Sequence, residues 1–206
     1  MTSSALGRLI AGFKGFRARY FEQRPELYES FAKKGQSPEV LIVGCSDSRA
    51  DPAILLSAEP GELFIIRNVA NLVPPYQPDG HYHGTSSALE FAVRDLAVKH
   101  IVVLGHSGCG GIEVLSRASS GAPEMREFIA GWVSIADKAR QTCAHAHGRE
   151  LEQASIRVSL ENLMTFPWLR DRVNGGSLTL HGWWFDLEDG KLWGIDKPGA
   201  EFKVLS

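Results

Sequence analysis

Cys45, His106 and Cys109 are the residues of this chain whose types and spacing could hold a transition metal. Two thiolates and one imidazole make a three-ligand zinc set, and the fourth tetrahedral position stays open for water, which points to catalysis rather than structural cross-linking. His106 and Cys109 are three residues apart, so one turn can present both side chains to a single point, and Gly108, Gly110 and Gly111 permit the tight backbone this needs. Asp47 follows Cys45 by two residues, and Arg49 follows Asp47 by two. A free carboxylate beside zinc would bind it and close the open position, whereas one gripped by a bidentate guanidinium is restrained and keeps a low pKa. Asp47 could then orient the water. Each residue also has a plainer reading: a buried cysteine is often a small hydrophobe, a strand-end histidine a satisfied polar group, and an aspartate the start of an Asx-turn. Their joint placement at strand ends favours the metal.

The elements that must position these residues can be read from apolar runs. Val40 to Val43 ends in Gly44-Cys45, Leu63 to Ile66 follows the Pro60-Gly61 turn, and Ile101 to Leu104 ends in Gly105-His106. Glycine-bounded apolar runs separated by helices are what a parallel sheet covered on both faces leaves in sequence. The fold class is therefore α/β, with a mostly parallel central sheet flanked by helices. Ligands bind outside the carboxyl ends of such strands. Ser87 and Glu90 have capping-box spacing for a helix whose apolar face is Leu89, Val93 and Leu96. The stretches Met125 to Ala146 and Gln153 to Leu163 read as helical, and Ser177 to Phe185 with Leu192 to Ile195, around Asp189-Gly190, reads as a C-terminal β-hairpin. Leu6, Leu9, Ile10, Phe13, Phe16, Tyr20 and Phe21 follow helical spacing, so residues 1–34 form an amphipathic N-terminal arm on a single domain spanning 1–206.

The 206 residues are 44 % hydrophobic and 22 % charged, ordinary for a folded domain. With 22 basic against 24 acidic residues there is no positive field for nucleic acid, and no apolar run approaches the ~20 residues of a membrane span. Three cysteines without a secretory signal point to a reducing compartment, read here as the cytoplasm, with organellar targeting left open.

Cys45-Ser46-Asp47-Ser48-Arg49 together with His106-Ser107-Gly108-Cys109-Gly110-Gly111 resembles the paired signature motifs of β-class carbonic anhydrases, and Glu59 to Phe64 and Arg67 to Asn71 extend the likeness over nearly the whole chain. The resemblance implies Zn²⁺ on Cys45, His106 and Cys109, an Asp47–Arg49 dyad, and reversible hydration of carbon dioxide to bicarbonate and a proton. It also implies a substrate pocket of Gln36, Phe64, Val69, Phe91 and Gly110, with Gln36, Phe64 and Phe91 supplied by a second copy, so that a dimer or higher even oligomer is the working unit. Phe91 stands where plant-type members carry tyrosine, and Ala50 where valine is common. Ile42 replaces a tryptophan that a regulatory bicarbonate site in another branch needs.

Other readings stay open at this level. The same fold could hydrolyse carbon disulfide or carbonyl sulfide, or hold zinc without activity. Gly105 to Gly111 could cradle phosphate, although Glu113 stands where a dinucleotide fingerprint needs glycine. Cys143, His145 and His147 could bind a second metal, but residues two apart on a helix face different ways. His81 and His83 read as solvated loop residues.

Overall fold

In the computed structural model, which describes residues 4–118, 126–143 and 147–206, the apolar runs picked out above lie side by side as strands. The order across the sheet is β2 (Leu63–Asn68), β1 (Val40–Cys45), β3 (His100–His106), β4 (Thr179–Phe185), β5 (Leu192–Ile195) and β6 (Lys203–Val204). The first four are mutually parallel, β5 returns antiparallel to β4, and β6 runs antiparallel to β5. The expected C-terminal hairpin is therefore present. β6 left no sequence signal, because two exposed residues carry no period. Cys45 pairs with Asn68 and Gly44 with Leu104, so β1 and β3 deliver Cys45 and His106 to the same end of the sheet.

Side chains alternate between the faces of a strand, and the core divides accordingly. Leu41, Val43, Ile101 and Val103 pack with Leu89 and Val93, with Ile156, Leu160 and Leu163, and with Leu169. These come from α4 (Gly84–Glu90) and the wide helical turn Phe91–Asp95, from α8 (Gly148–Leu163) and from α9 (Pro167–Asn174). Ile42, Val102 and Leu104 pack on the opposite face, against Leu55 at the end of α3 (Pro52–Leu55) among others. A third cluster surrounds Cys45 and Cys109, built from Ala70 and Leu72 and from α5 (Gly110–Ala118), α6 (Ile129–Val133), α7 (Asp137–Thr142) and α8.

Residues up to Ser37 form a compact unit separate from residues 38–206. Within it, α1 (Ala5–Arg17) is capped by Ser4, whose Oγ accepts the Gly7 N–H, and α2 (Pro25–Lys34) ends at Gly35 with φ 75°. Phe16, Tyr20, Phe21, Tyr28 and Phe31 interlock as an aromatic cluster. Leu6, Leu9, Ile10 and Phe13 remain 61–72 % exposed.

Three helix boundaries differ from the sequence reading. α4 begins at Gly84, so Ser87 lies inside it and donates its hydroxyl to the His83 carbonyl instead of capping. The stretch read as one helix from Met125 breaks into α6, a tight turn at Ser134–Ala136 and α7, while residues 125 and 144–146 lie outside the described segments. α8 starts five residues before Gln153. α3 and α9 went unread, although each carries a sequence mark in the proline at its first turn.

Ile156 fits between two glycines on neighbouring strands. A Cβ at Gly105 would lie 2.8 Å from Ile156 Cδ1, and one at Gly182 would lie 2.7 Å from Ile156 Cγ2 and 3.1 Å from Leu160 Cδ1. Gly182→Ala therefore overpacks the joint between α8 and the sheet, at a cost of about 1–3 kcal/mol. The expected outcome is a melting temperature lower by several degrees in Gly182→Ala, and calorimetry against the parent protein checks it.

Candidate metal centre

The parallel register places Cys45 at the end of β1 and His106 at the end of β3, and the turn before α5 brings Cys109 back to them. All three are buried, with their Sγ and imidazole nitrogen atoms within 4.8 Å of one another. They are the one group of three or more such ligands among the described residues. The two sulfurs are 3.9 Å apart. Two thiolates on a tetrahedral Zn²⁺ at about 2.3 Å each are separated by about 3.8 Å, so the spacing fits this ion. His106 Nδ1 faces the Ser107 carbonyl at 2.9 Å and so carries the proton, which leaves Nε2 as a bare lone pair. Nε2 is buried and has no hydrogen-bond partner.

Hydrogen bonding within the group and its burial shift the protonation of all three residues. The hydrogen bond shared with Cys109, and then His106 and neighbouring amides, lower the Cys45 thiol against the opposing effect of burial. Cys109 is pushed up by the same bond and by its own burial. Burial opposes charge on His106, yet the Cys45 sulfur and the Ser107 carbonyl outweigh it and its pKa rises.

Asp47 stands beside the group with Oδ2 3.9 Å from His106 Nε2. Its carboxylate is fully gripped: Oδ1 accepts the Arg49 amide at 2.9 Å and Nε at 3.0 Å, and Oδ2 accepts Arg49 Nη2 at 2.8 Å. The same Nη2 donates to the Gly108 carbonyl at 3.1 Å, which ties the β1 loop to the Cys109 turn. The Arg49 hydrogen bonds hold the Asp47 carboxyl well below the usual carboxylate range.

Two residues frame the site in roles the sequence reading did not assign, although Arg67 opens the Arg67–Asn71 segment of the family resemblance. Arg67 turns all three of its side-chain nitrogens to the Cys45–Asp51 loop, giving Nε to the Cys45 carbonyl, Nη2 to the Asp47 carbonyl and Nη1 to the Asp51 carboxylate. Glu152 is 6 % exposed and accepts from the Cys109 amide at 3.2 Å and from Trp184 Nε1 at 3.1 Å. Burial raises its pKa. The Cys109 amide is thus committed to a carboxylate of the chain itself, which argues against a phosphate cradle. An acidic residue in the buried stripe of α8, beside Leu151, Ser155 and Ile156, was the available signal.

The implied pocket residues fall in three places. Gly110 follows Cys109 directly, and Val69 packs against Gly111. Phe64 and Phe91 pair with each other at a centroid separation of 6.0 Å. Phe64 sits four residues before Asn68 on β2, about 13 Å from the level of Cys45. Gln36 belongs to the N-terminal unit. His83 pairs with Asp79 at 2.7 Å. Of the proposed second metal group, Cys143 and His147 lie on either side of the 144–146 segment, and His145 lies outside the described residues.

The carbonic anhydrase family model matches residues 40–192. Beta carbonic anhydrase 3 of Arabidopsis thaliana is 36 % identical over 93 % of this chain and 78 % of its own length, and a carbonic anhydrase of Pseudomonas aeruginosa is 38 % identical over 96 % and 91 %. Among solved structures, the beta-carbonic anhydrase CcaA superposes with a TM-score of 0.87 at 33 % identity, covering 99 % of this chain and 93 % of that one. A tetrameric beta-carbonic anhydrase of Sordaria macrospora gives 0.77 at 26 % identity, covering 99 % and 98 %. The chain belongs to the β-carbonic anhydrase family, whose general reaction is the hydration of carbon dioxide. Among the described residues no helix is long and apolar enough to cross a membrane.

If the three residues act together, Cys109→Ala loses bound metal in elemental analysis, and so do Cys45→Ala and His106→Ala. Cys143→Ala keeps it.

Proposed function

We propose that this protein is a zinc enzyme that converts carbon dioxide and water reversibly into bicarbonate and a proton, with Cys45, His106 and Cys109 as ligands and Asp47 and Arg49 as its catalytic pair. The observation that carries the reading is the Asp47 carboxylate, locked by Arg49 beside the unpartnered His106 Nε2. Zinc held there supplies the Lewis acidity that lets water give up a proton near neutral pH. Asp47 is ionised at neutral pH and can only accept hydrogen bonds, so it fixes the O–H of the attacking oxygen and turns a lone pair toward the carbon. Arg49 prevents the same carboxylate from swinging onto the metal. Val69 offers an apolar wall to carbon dioxide. The Gln36 amide of a second copy donates to the oxygen that becomes negative, and Phe64 and Phe91 of that copy close the apolar side.

Self-association into a dimer or higher even oligomer is supported by three features. The apolar face of α1 is exposed, Phe64, which packs with Phe91, stands about 13 Å from its own chain's site level, and a structural relative is tetrameric. Thiol ligands need a reducing compartment, and we assign the protein to the cytoplasm on that ground.

Stopped-flow measurement of carbon dioxide hydration tests the reading, and no acceleration in the zinc-loaded protein would sink it. Turnover confined to carbonyl sulfide or carbon disulfide would move the assignment to a hydrolase. Asp47→Asn keeps zinc and lowers kcat about 10²-fold or more, and Arg49→Ala is at least as harmful. A carboxylate whose pKa is depressed stays charged until the pH falls well below about 3.9, so the acid limb of the rate profile does not belong to Asp47. In sedimentation and activity assays, removal of residues 1–21 weakens association and turnover together.

A further inference from the structure

The turn that leaves β2, from Asn68 to Leu72, is strained and yet firmly tied down. Ala70 and Asn71 are consecutive non-glycine residues at φ 65° and 49°, and both are almost fully buried. L residues adopt this left-handed region only when the surroundings impose it, and such strain gathers where a chain must present a group in a set place.

Two side chains impose it. Asn68 bridges the turn, its Oδ1 accepting the Leu72 N–H at 2.9 Å while its Nδ2 donates to the Leu72 carbonyl at 2.8 Å and to Thr85 Oγ1 at 3.3 Å. From α6, Trp132 Nε1 donates to the Val69 carbonyl at 2.7 Å. The start of α5 closes the remaining side, because a Cβ at Gly111 would lie 2.7 Å from Val69 Cγ1 and 2.8 Å from Ala70 Cβ.

Ala70 and Leu72 are fully buried and share a cluster with Cys45 and Cys109, whereas Val69 is 39 % exposed. The turn thus buries its own residues beside the ligand group and holds one apolar side chain open there. Carbon dioxide has no net dipole and no hydrogen to donate, so much of its grip must come from apolar contact, and such contact works only at the right distance. We infer that Asn68 and Trp132 are positioning residues for the substrate: by holding the left-handed turn they set Val69 at the depth where it meets carbon dioxide. The inference rests on the proposed hydration of carbon dioxide with Val69 as a wall of the pocket.

The test is a double-mutant cycle on the zinc protein, with KM and kcat for carbon dioxide from stopped flow and zinc content from elemental analysis. Trp132→Phe keeps a ring in the shallow apolar groove shared with Val69, Phe128 and Ile129 and deletes only the donor. Its KM is expected to rise about threefold to tenfold, as for the loss of roughly one buried methylene contact. Its kcat stays within about twofold of the parent, the pattern of lost substrate binding, and its zinc content is parental. Val69→Ala is expected to raise KM to a similar extent. Added to Val69→Ala, Trp132→Phe then changes KM little further, because the contact it positions is already gone. A parental KM in Trp132→Phe overturns the inference, and so do fully multiplicative KM effects in the double variant. Loss of zinc, or a fall in kcat as large as the rise in KM, would show a merely structural role and overturns it as well. Asn68→Asp keeps an oxygen for the Leu72 N–H but turns a second one on the Leu72 carbonyl, and the same KM rise and the same non-additivity with Val69→Ala are expected; if Trp132→Phe does not fold, an unmoved KM here overturns the inference. A parent without carbon dioxide hydration overturns the proposed function and this inference with it, whereas an active parent with unmoved variants overturns this inference alone.

Discussion

Two sulfurs 3.9 Å apart and an imidazole nitrogen without a partner are buried together at the carboxyl ends of β1 and β3. Unpaired polar groups are expensive in such a place, and two thiolates are more so, which makes this cluster the constraint that the surrounding architecture answers. It exists only because the strand register is what it is. Side chains alternate along a strand, so a slip of one residue between β1 and β3 would send Cys45 to the opposite face and dissolve the group. The apolar packing of Leu41, Val43, Ile101 and Val103 on one face and Ile42, Val102 and Leu104 on the other fixes that register. Core and chemistry are therefore specified by the same alternation.

Around the cluster, each charged group that could collapse onto a cation is tied elsewhere. Asp47 has both oxygens on Arg49, Asp51 is held by Arg67, and Glu152 faces the Cys109 amide and the Trp184 indole rather than the sulfur. Arg67 also takes the carbonyls of Cys45 and Asp47, so the β1 loop is fastened at three points by one guanidinium. A planar fork with five donors can do this and a lysine cannot. The result is a polar network in which carboxylates lie close to the ligand group yet have little freedom to enter it. Left-handed Ala70 and Asn71 carry strain of about 1–3 kcal/mol each, offset by the Asn68 bridge and the Trp132 hydrogen bond.

Where order along the chain matches order in space, the sequence was transparent. The strands ending at Cys45 and His106, the His106–Cys109 turn and the Asp47–Arg49 spacing are short-range patterns, and the structure brings these five residues together. The missing parts depend on partners far away in the chain. Glu152 meets Cys109 across 43 residues, Trp132 meets Val69 across 63, and Arg67 reaches back 22 to Cys45. No local period encodes such pairings. Helix ends failed for a different reason: Ser87 and Glu90 have the right spacing for a cap, but the Ser87 hydroxyl found the His83 carbonyl four residues back, an internal alternative that spacing alone does not distinguish.

The residues of the proposed substrate pocket are spread unevenly over the chain. Val69 and Gly110 lie with the ligand group, whereas the Phe64–Phe91 pair belongs to the part of the sheet about 13 Å away, with Phe91 45 % exposed. Within one chain, then, the ligands and the Asp47–Arg49 pair form a polar half-site with little apolar cover for a substrate as nonpolar as carbon dioxide. Under the proposed function, half-buried Phe64 with exposed Phe91 on one copy would complement the half-site of another under a two-fold axis, since a surface that lacks what it also offers elsewhere is satisfied twice by one isologous contact. On the proposed reading, catalysis and assembly are then one equilibrium. Apolar burial that joins two copies also dries the site, and drying strengthens the electrostatic hold of Asp47 and Arg49 at the point where charge develops.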